Sequence, residues 1–288
     1  MKKSFHIIGA GRVGRTFAAI LSQSGQWQPV AIVSRRGMVA LADCKSVGIV
    51  PRIGDLPPAD VILVCTPDNV LEEAAADIAE LAWLNPETVV VHFSGAKTIG
   101  VLDAVVKCGA TVGSLHPVFA FADVEKSIRS LRGSLCALEA ESNKAMTVLR
   151  DLAAAAGLKA FTLPSEHKAR YHAALSAASN FSVTLAAFAQ NLLAPLNLPE
   201  QLTRDLVCRL MRQSVDNLSG LPATEALTGP IVRGDDSTVS AHLHSMDKQE
   251  QALYRALASA TLELATARLD EQSMVKLAAL LGNQHHAD

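Results

Sequence analysis

The sequence predicts a doubly wound α/β domain on a mostly parallel sheet, followed by an all-α C-terminal domain, and three observations carry that prediction. Up to residue 163, short β-branched runs alternate with helical patterns, as expected where helices cover both faces of a parallel sheet. After Pro164 no strand pattern remains and the rest of the chain reads as helix. The first strand enters its helix through three closely spaced glycines, Gly9, Gly11 and Gly14. A length of 288 residues suits two domains, here 1–163 and 164–288, and an apolar share of 49% is enough to fill a large core.

Taken in order, the predicted strands are SFHIIG, PVAIVS, DVILVCT, TVVVHFS, TVGSLH, SLCALE and KAFTLP. Between them lie amphipathic or Ala-rich helices: RTFAAILSQSG, GMVALADCKSVG, NVLEEAAADIAELAWL, IGVLDAVVKCG and NKAMTVLRDLAAAAGL. Several of these end at a glycine, a common left-handed helix stop. One long helix is expected from Ser165 to Pro195, with faces almost wholly apolar or small. Such a helix must be covered on all sides, so a homodimer through the helical domain is expected. The segments 199–220, 237–246, 248–269 and 273–282 supply the remaining helices, the second of these capped by Asp236 or Ser237.

Composition excludes several classes of partner. The formal net charge is -2 and no dense Lys/Arg block exists, so no nucleic-acid partner is expected. The N-terminus does not read as a signal peptide, because Ser4 and His6 break its apolar run. The most apolar stretch, 173–189, is interrupted by Ser, Asn and Thr, so no membrane span is expected. Five scattered cysteines without metal-ligand spacing read as reduced thiols of a cytoplasmic protein. The nine histidines do not pair with carboxylates at ligand spacing, so no metal site is expected.

The stretch GAGRVG, comprising Gly9, Ala10, Gly11, Arg12, Val13 and Gly14, follows a predicted strand and opens a predicted helix, the context in which it signals a dinucleotide site. Gly9 permits a tight turn, Gly11 lets a pyrophosphate approach the backbone, and Gly14 lets helix and strand pack closely. The unpaired N–H groups at the helix start then face negative phosphates. About twenty residues on, an NAD-preferring site carries an acidic residue, whereas this chain has Ser34, Arg35 and Arg36. A hydroxyl and two guanidiniums hold a 2′-phosphate that a carboxylate would repel, so NADP(H) is favoured over NAD(H). Thr66 and Pro67, then Ser94, then His116 follow successive strands at the edge where open parallel sheets bind ligands. Asp68 is expected to cap the helix after it, and His116 either faces the ligand or makes a structural bond to the backbone.

On the long helix Lys168, His172, Ser176 and Asn180 recur every four residues, which lets at least three of them address one ligand as proton donors or orienting groups. The loop TEALTGPIVRGDD holds Thr228 and Arg233. Either Arg233 clamps a substrate carboxylate or it pairs with Asp235 and stiffens the loop.

GAGRVG, GSLHPVFAF, KARYHAALSAASNF and ALTGPIVRGD together resemble the Rossmann-like proteins that carry the domain of unknown function 2520 (DUF2520), over almost the whole chain. That family is similar in architecture to ketopantoate reductase, pyrroline-5-carboxylate reductase and the 3-hydroxyacid dehydrogenases, whose Rossmann domain precedes a helical domain related to that of 6-phosphogluconate dehydrogenase. The resemblance implies an NADP-linked oxidoreductase, a dimer, and a site in the interdomain cleft. It favours reduction of a small oxo acid such as ketopantoate, with a cyclic imine such as pyrroline-5-carboxylate second. Relatives acting on 2-oxo or 3-hydroxy acids use a lysine and, four residues on, an asparagine, a pair that neither Lys168 with His172 nor His172 with Ser176 reproduces. The alternative to an enzyme is an NADPH-binding sensor without turnover.

Overall fold

The computed structural model describes residues 2–34 and 47–282. Its Cα positions group into two compact units that divide between Asn180 and Phe181. The first unit is built on strands β1 (Lys3–Ile8), β2 (Trp27–Val33), β3 (Gly48–Val50), β4 (Val61–Val64), β5 (Val89–His92), β6 (Thr111–Pro117), β7 (Leu135–Glu139) and β8 (Lys159–Thr162). They form one sheet in the order β3-β2-β1-β4-β5-β6-β7-β8. Every neighbouring pair is parallel except β6 with β7. The chain moves outward from β1 through β2 to β3 and then returns to the other side of β1 with β4. The reversal opens a crevice beyond the carboxyl ends of β1 and β4, where sheets of this kind take ligands.

Helices α1 (Arg12–Gln23), α2 (Leu71–Ala79), α3 (Asp103–Lys107), α4 (Val124–Ser130), α5 (Asn143–Ala155) and α6 (Lys168–Ala178) complete the unit. Because side chains alternate along a strand, its residues are divided between two cores. Phe5, Ile7, Leu63, Val91 and Leu115 join Phe17 and Leu21 of α1 and Leu149 and Leu152 of α5 on one face. Ile8, Ile62, Val64 and Val90 join Leu71 and Ile78 of α2 and Val105 of α3 on the other. Both faces of the central strands are therefore dry, which is why these strands read as unbroken apolar runs.

The second unit is helical: α7 (Asn180–Leu192, whose first residue closes the first unit), α8 (Glu200–Leu218), α9 (Ala223–Ala226), α10 (Asp236–His244), α11 (Lys248–Ala265) and α12 (Glu271–Leu281). Its core gathers Ile231, Val232, Val239, Leu243, Leu262, Leu277 and Leu281. No helix of the described residues is long and apolar enough to cross a membrane.

Several local expectations are corrected. The helix expected over 37–48 lies mostly outside the described residues, but its end, Gly48, starts strand β3, which pairs with β2. Helix α4, not anticipated, is capped by Asp123, whose side chain accepts from the Lys126 N–H. The single long helix breaks at Ser179, with φ -108° and ψ -68°, and resumes as α7. It is not covered on all sides within the chain, since Phe181 and Val183 are 64% and 71% exposed. Helix α10 is capped by Asp235 rather than Asp236 or Ser237: the Asp235 carboxylate accepts from the Thr238 N–H and from the Ser237 and Thr238 hydroxyls. Those bonds hold its pKa down at about 2.

Candidate active site

The turn after β1 is shaped by what its glycines lack. Gly9 has φ +102°, and a Cβ there would lie 2.8 Å from the Cys65 carbonyl oxygen. At Gly14 a Cβ would fall 2.1 Å from the Gly9 carbonyl oxygen and 3.0 Å from Ile7, so only glycine lets α1 start against β1. Gly11 differs, because nothing lies within 4 Å of the position of its Cβ. It is the N-cap of α1, no side chain caps the helix, and no acidic residue occupies the first turn. Backbone N–H groups at the helix start thus face open space on the positive end of the helix dipole. Nearby at the end of β4, the Thr66 hydroxyl is enclosed without a hydrogen-bond partner among the described residues. An open cradle over Gly11 and an enclosed hydroxyl in want of a partner fit the pyrophosphate end of a dinucleotide. Ala10, Arg12 and Val13 complete this turn. Arg12 reaches the Phe121 carbonyl (3.4 Å) beyond β6, and Phe17 of α1 packs edge-on against Phe93 beyond β5 at 4.7 Å. These contacts tie the glycine turn to the ends of the next strands.

At those strand ends, polar side chains converge. Beyond β5, the Ser94 hydroxyl donates to Asp68 (2.8 Å) and accepts from the Ala96 and Lys97 N–H groups. Asp68 therefore steadies the Ser94 turn and caps no helix; the N-cap of its short 3-10 turn is Pro67, which makes no side-chain cap bond. The backbone of Gly95 is pressed by two imidazoles, since a Cβ there would lie 2.6 Å from Nε2 of His116 and 2.9 Å from Cδ2 of His172. The two rings stand edge to face with centroids 6.3 Å apart. His116 projects from β6, and its Nδ1 shares a 2.9 Å hydrogen bond with the Tyr171 hydroxyl, so its partner is a side chain and not the backbone. Its Nε2 makes no hydrogen bond among the described residues and is not among the enclosed unpaired atoms. Burial, then the charges of His172 and Lys168, lower the His116 pKa to about 4, so its ring is neutral at pH 7. Behind it, fully buried His92 accepts the Ser94 N–H at Nδ1 and is lowered to about 3, chiefly by burial.

Lys168 occupies a different position from His172. It is 1% exposed, and its ammonium donates to Ser114 (2.6 Å) and Glu139 (2.5 Å). Glu139 also accepts from the Ser165 hydroxyl and the Ile99 N–H, so β7, the turn at Ile99 and the start of α6 are joined through one carboxylate, and the Lys168 ammonium adds Ser114 of β6. Burial lowers the Lys168 pKa, with the Glu139 pair acting against it. These bonds, together with Tyr171 on His116, fasten 165–178 to the first unit although the change of texture in the sequence falls at residue 163.

Of the residues singled out in the sequence, the glycine turn, Thr66, Pro67, Ser94, His116 and His172 lie at the carboxyl edge of the sheet or on the helix against it. Ser176 is half-buried one turn beyond His172, whereas Asn180 falls after the break at Ser179, so the four-residue spacing does not carry it onto the same helix. Ser34 is buried at the end of β2, where its N–H donates to the Val50 carbonyl; Arg35 and Arg36 lie outside the described residues. Thr228 and Arg233 are exposed and belong to the second unit, and no Arg233–Asp235 ion pair forms among the described residues. Tyr171, Ser114 and Glu139 were not anticipated. Only Glu139 left a signal, as a carboxylate closing an otherwise apolar strand. Among the described residues no cluster suited to a metal ion occurs.

Comparison with known proteins adds to this geometry. The model of a Rossmann-like domain matches residues 1–117, and that of a domain of unknown function, DUF2520, matches 134–261. No curated protein matches. Among solved structures, BF3122 of Bacteroides fragilis, an inferred NADP oxidoreductase, aligns with a TM-score of 0.77 at 24% identity, over 91% of this chain and 98% of its own. Protein TM1727 of Thermotoga maritima aligns at 0.70 with 24% identity over the same shares. The pyrroline carboxylate reductase of Plasmodium falciparum, solved with NADP bound, aligns at 0.61 with 12% identity, over 95% of this chain and 98% of its own. At such identities the likeness is one of fold alone. Residues 1–117 are thus similar to Rossmann-like domains and residues 134–261 to DUF2520 domains.

Proposed function

We propose that this protein is an NADPH-dependent reductase of a small oxo acid, of which ketopantoate is the leading candidate, and that His116 and His172 are its catalytic residues. The observation that supports this most directly is the meeting of an unbonded His116 Nε2 with the His172 ring over Gly95, on the sheet edge that also carries the open glycine turn. Residues 9–14 and Thr66 would hold the cofactor, with Ser34, Arg35 and Arg36 placed in sequence to favour a 2′-phosphate. Bound NADPH supplies a hydride to the carbonyl carbon.

The protein's own task is to manage the oxygen, which gains negative charge as the carbon is reduced. A neutral imidazole aimed at that oxygen stabilises it by hydrogen bonding without an acidic pKa, and His116 is held neutral by burial. His172, whose ring meets that of His116 over Gly95, is assigned the proton donor. Lys168, committed to Glu139 and Ser114, is assigned to support. The products are a hydroxy acid and NADP⁺, and solvent reprotonates His172. A cyclic imine is the second reading, favoured by the likeness of fold to pyrroline carboxylate reductase. The His116 donor favours the carbonyl, because an iminium arrives protonated and its reduction needs no donor.

The test is NADPH oxidation across a panel of oxo acids and cyclic imines, with His172→Ala beside the parent chain. Turnover of an oxo acid that falls about 100-fold or more in His172→Ala, with NADPH affinity retained, is the expected result. Binding of NADPH with no turnover on any member would replace this reading with that of a sensor.

A further inference from the structure

We propose that Tyr171 is the positioning residue of this site: its hydroxyl donates to Nδ1 of His116 and thereby fixes the proton of that ring on Nε2, the atom that faces the reacting oxygen. The inference rests on the reductase reading for its catalytic consequence, but its structural content can be tested alone.

A neutral imidazole has one nitrogen that donates and one that accepts, and the bond made by one decides the state of the other. His116 has one hydrogen-bond partner among the described residues, the Tyr171 hydroxyl at 2.9 Å from Nδ1. Tyr171 has the complementary property, because burial, aided by Cys136, pushes its phenol up to about 12 and keeps its proton in place. A phenol is a stronger donor than an imidazole N–H, so the bond runs from the oxygen to Nδ1. Nε2 must then carry the ring proton, and it emerges over Gly95 with no other hydrogen bond among the described residues.

The surroundings fix the geometry of this bond. Tyr171 lies on α6, which is anchored one turn earlier by the buried Lys168–Glu139 pair. Its ring meets His116 edge-on with an interplanar angle of 89° and a centroid distance of 5.6 Å, and it packs against Phe161 of β8 at 6.2 Å. The imidazole is therefore held by ring contacts on one side and by the Gly95 backbone on the other, leaving the direction of the Tyr171 bond to select the tautomer.

The experiment is long-range ¹H–¹⁵N spectroscopy of the full chain labelled at histidine nitrogens, at neutral pH, for the parent and Tyr171→Phe. The parent is expected to show His116 with its proton on Nε2 and an accepting Nδ1. Tyr171→Phe keeps the ring contacts and is expected to shift His116 toward the other tautomer, with kcat lowered about tenfold or more and NADPH affinity within about twofold. A parent His116 protonated on Nδ1, or a tautomer unchanged in Tyr171→Phe, would overturn the proposal. Were Tyr171→Phe not to fold, the parent spectrum alone would decide. Neither measurement of the tautomer needs cofactor or substrate, so a chain that fails to turn over can still support or overturn the role of Tyr171.

Discussion

At the scale of single residues, imidazoles that burial holds below their ordinary pKa, those of His6, His92 and His116, make stability depend on pH. In an unfolded chain a histidine takes up its proton near pH 6.5, whereas the folded chain holds His116 near 4 and His92 near 3. Between those limits the unfolded state binds more protons, so stability is complete above pH 6.5 and declines as pH falls toward 4. With one pKa unit equal to about 1.4 kcal/mol, His116 and His92 each remove on the order of 2 kcal/mol by pH 5. Urea titrations at pH 7 and pH 5 should show this decline, and His116→Gln should show a smaller one. An equal decline in His116→Gln would mean that His116 is no less basic folded than unfolded. His116 and His172 were legible in the sequence as polar groups following a strand and lying on a helix. Tyr171 was not, because adjacent helical residues point in different directions and no spacing rule joins Tyr171 to a histidine 55 residues earlier.

At the scale of elements, the glycine turn separates packing from binding. Gly14→Ala would force a Cβ against the Gly9 carbonyl, a backbone atom that cannot give way, and should cost about 1–3 kcal/mol or more. Gly11→Ala meets nothing within 4 Å and should change stability by less than about 1 kcal/mol. Chemical denaturation of the two variants checks this, and equal losses would show that the space above Gly11 is filled. The strands of the central sheet were legible because both their faces are buried, which leaves continuous apolar runs between turn residues. Strand β3 was not, being three residues long and contiguous with a helical pattern. The break at Ser179 was equally hidden, since Ala, Ser and Asn on either side permit a helix to continue. It falls where the first unit ends: the Lys168 and Tyr171 bonds hold α6 within that unit, and α7 belongs to the second from Phe181 onward.

At the scale of the whole molecule, the change from strand and helix to helix alone was plain in the sequence. The division into units falls 17 residues later, because the fastening of α6 depends on Glu139 and Ser114, partners distant in the chain. The formal net charge is only -2, and the glycine turn and strand ends are where recognition is proposed. The central claim is that this turn receives the diphosphate of NADPH, and titration calorimetry of the full chain tests it most directly. The account predicts saturable one-site binding of NADPH, weaker binding of NADH, and at least tenfold weaker NADPH binding by Gly11→Ala in a chain of parental stability. No heat of binding from the parent chain at millimolar NADPH, or a Gly11→Ala variant that binds as tightly as the parent, would contradict it.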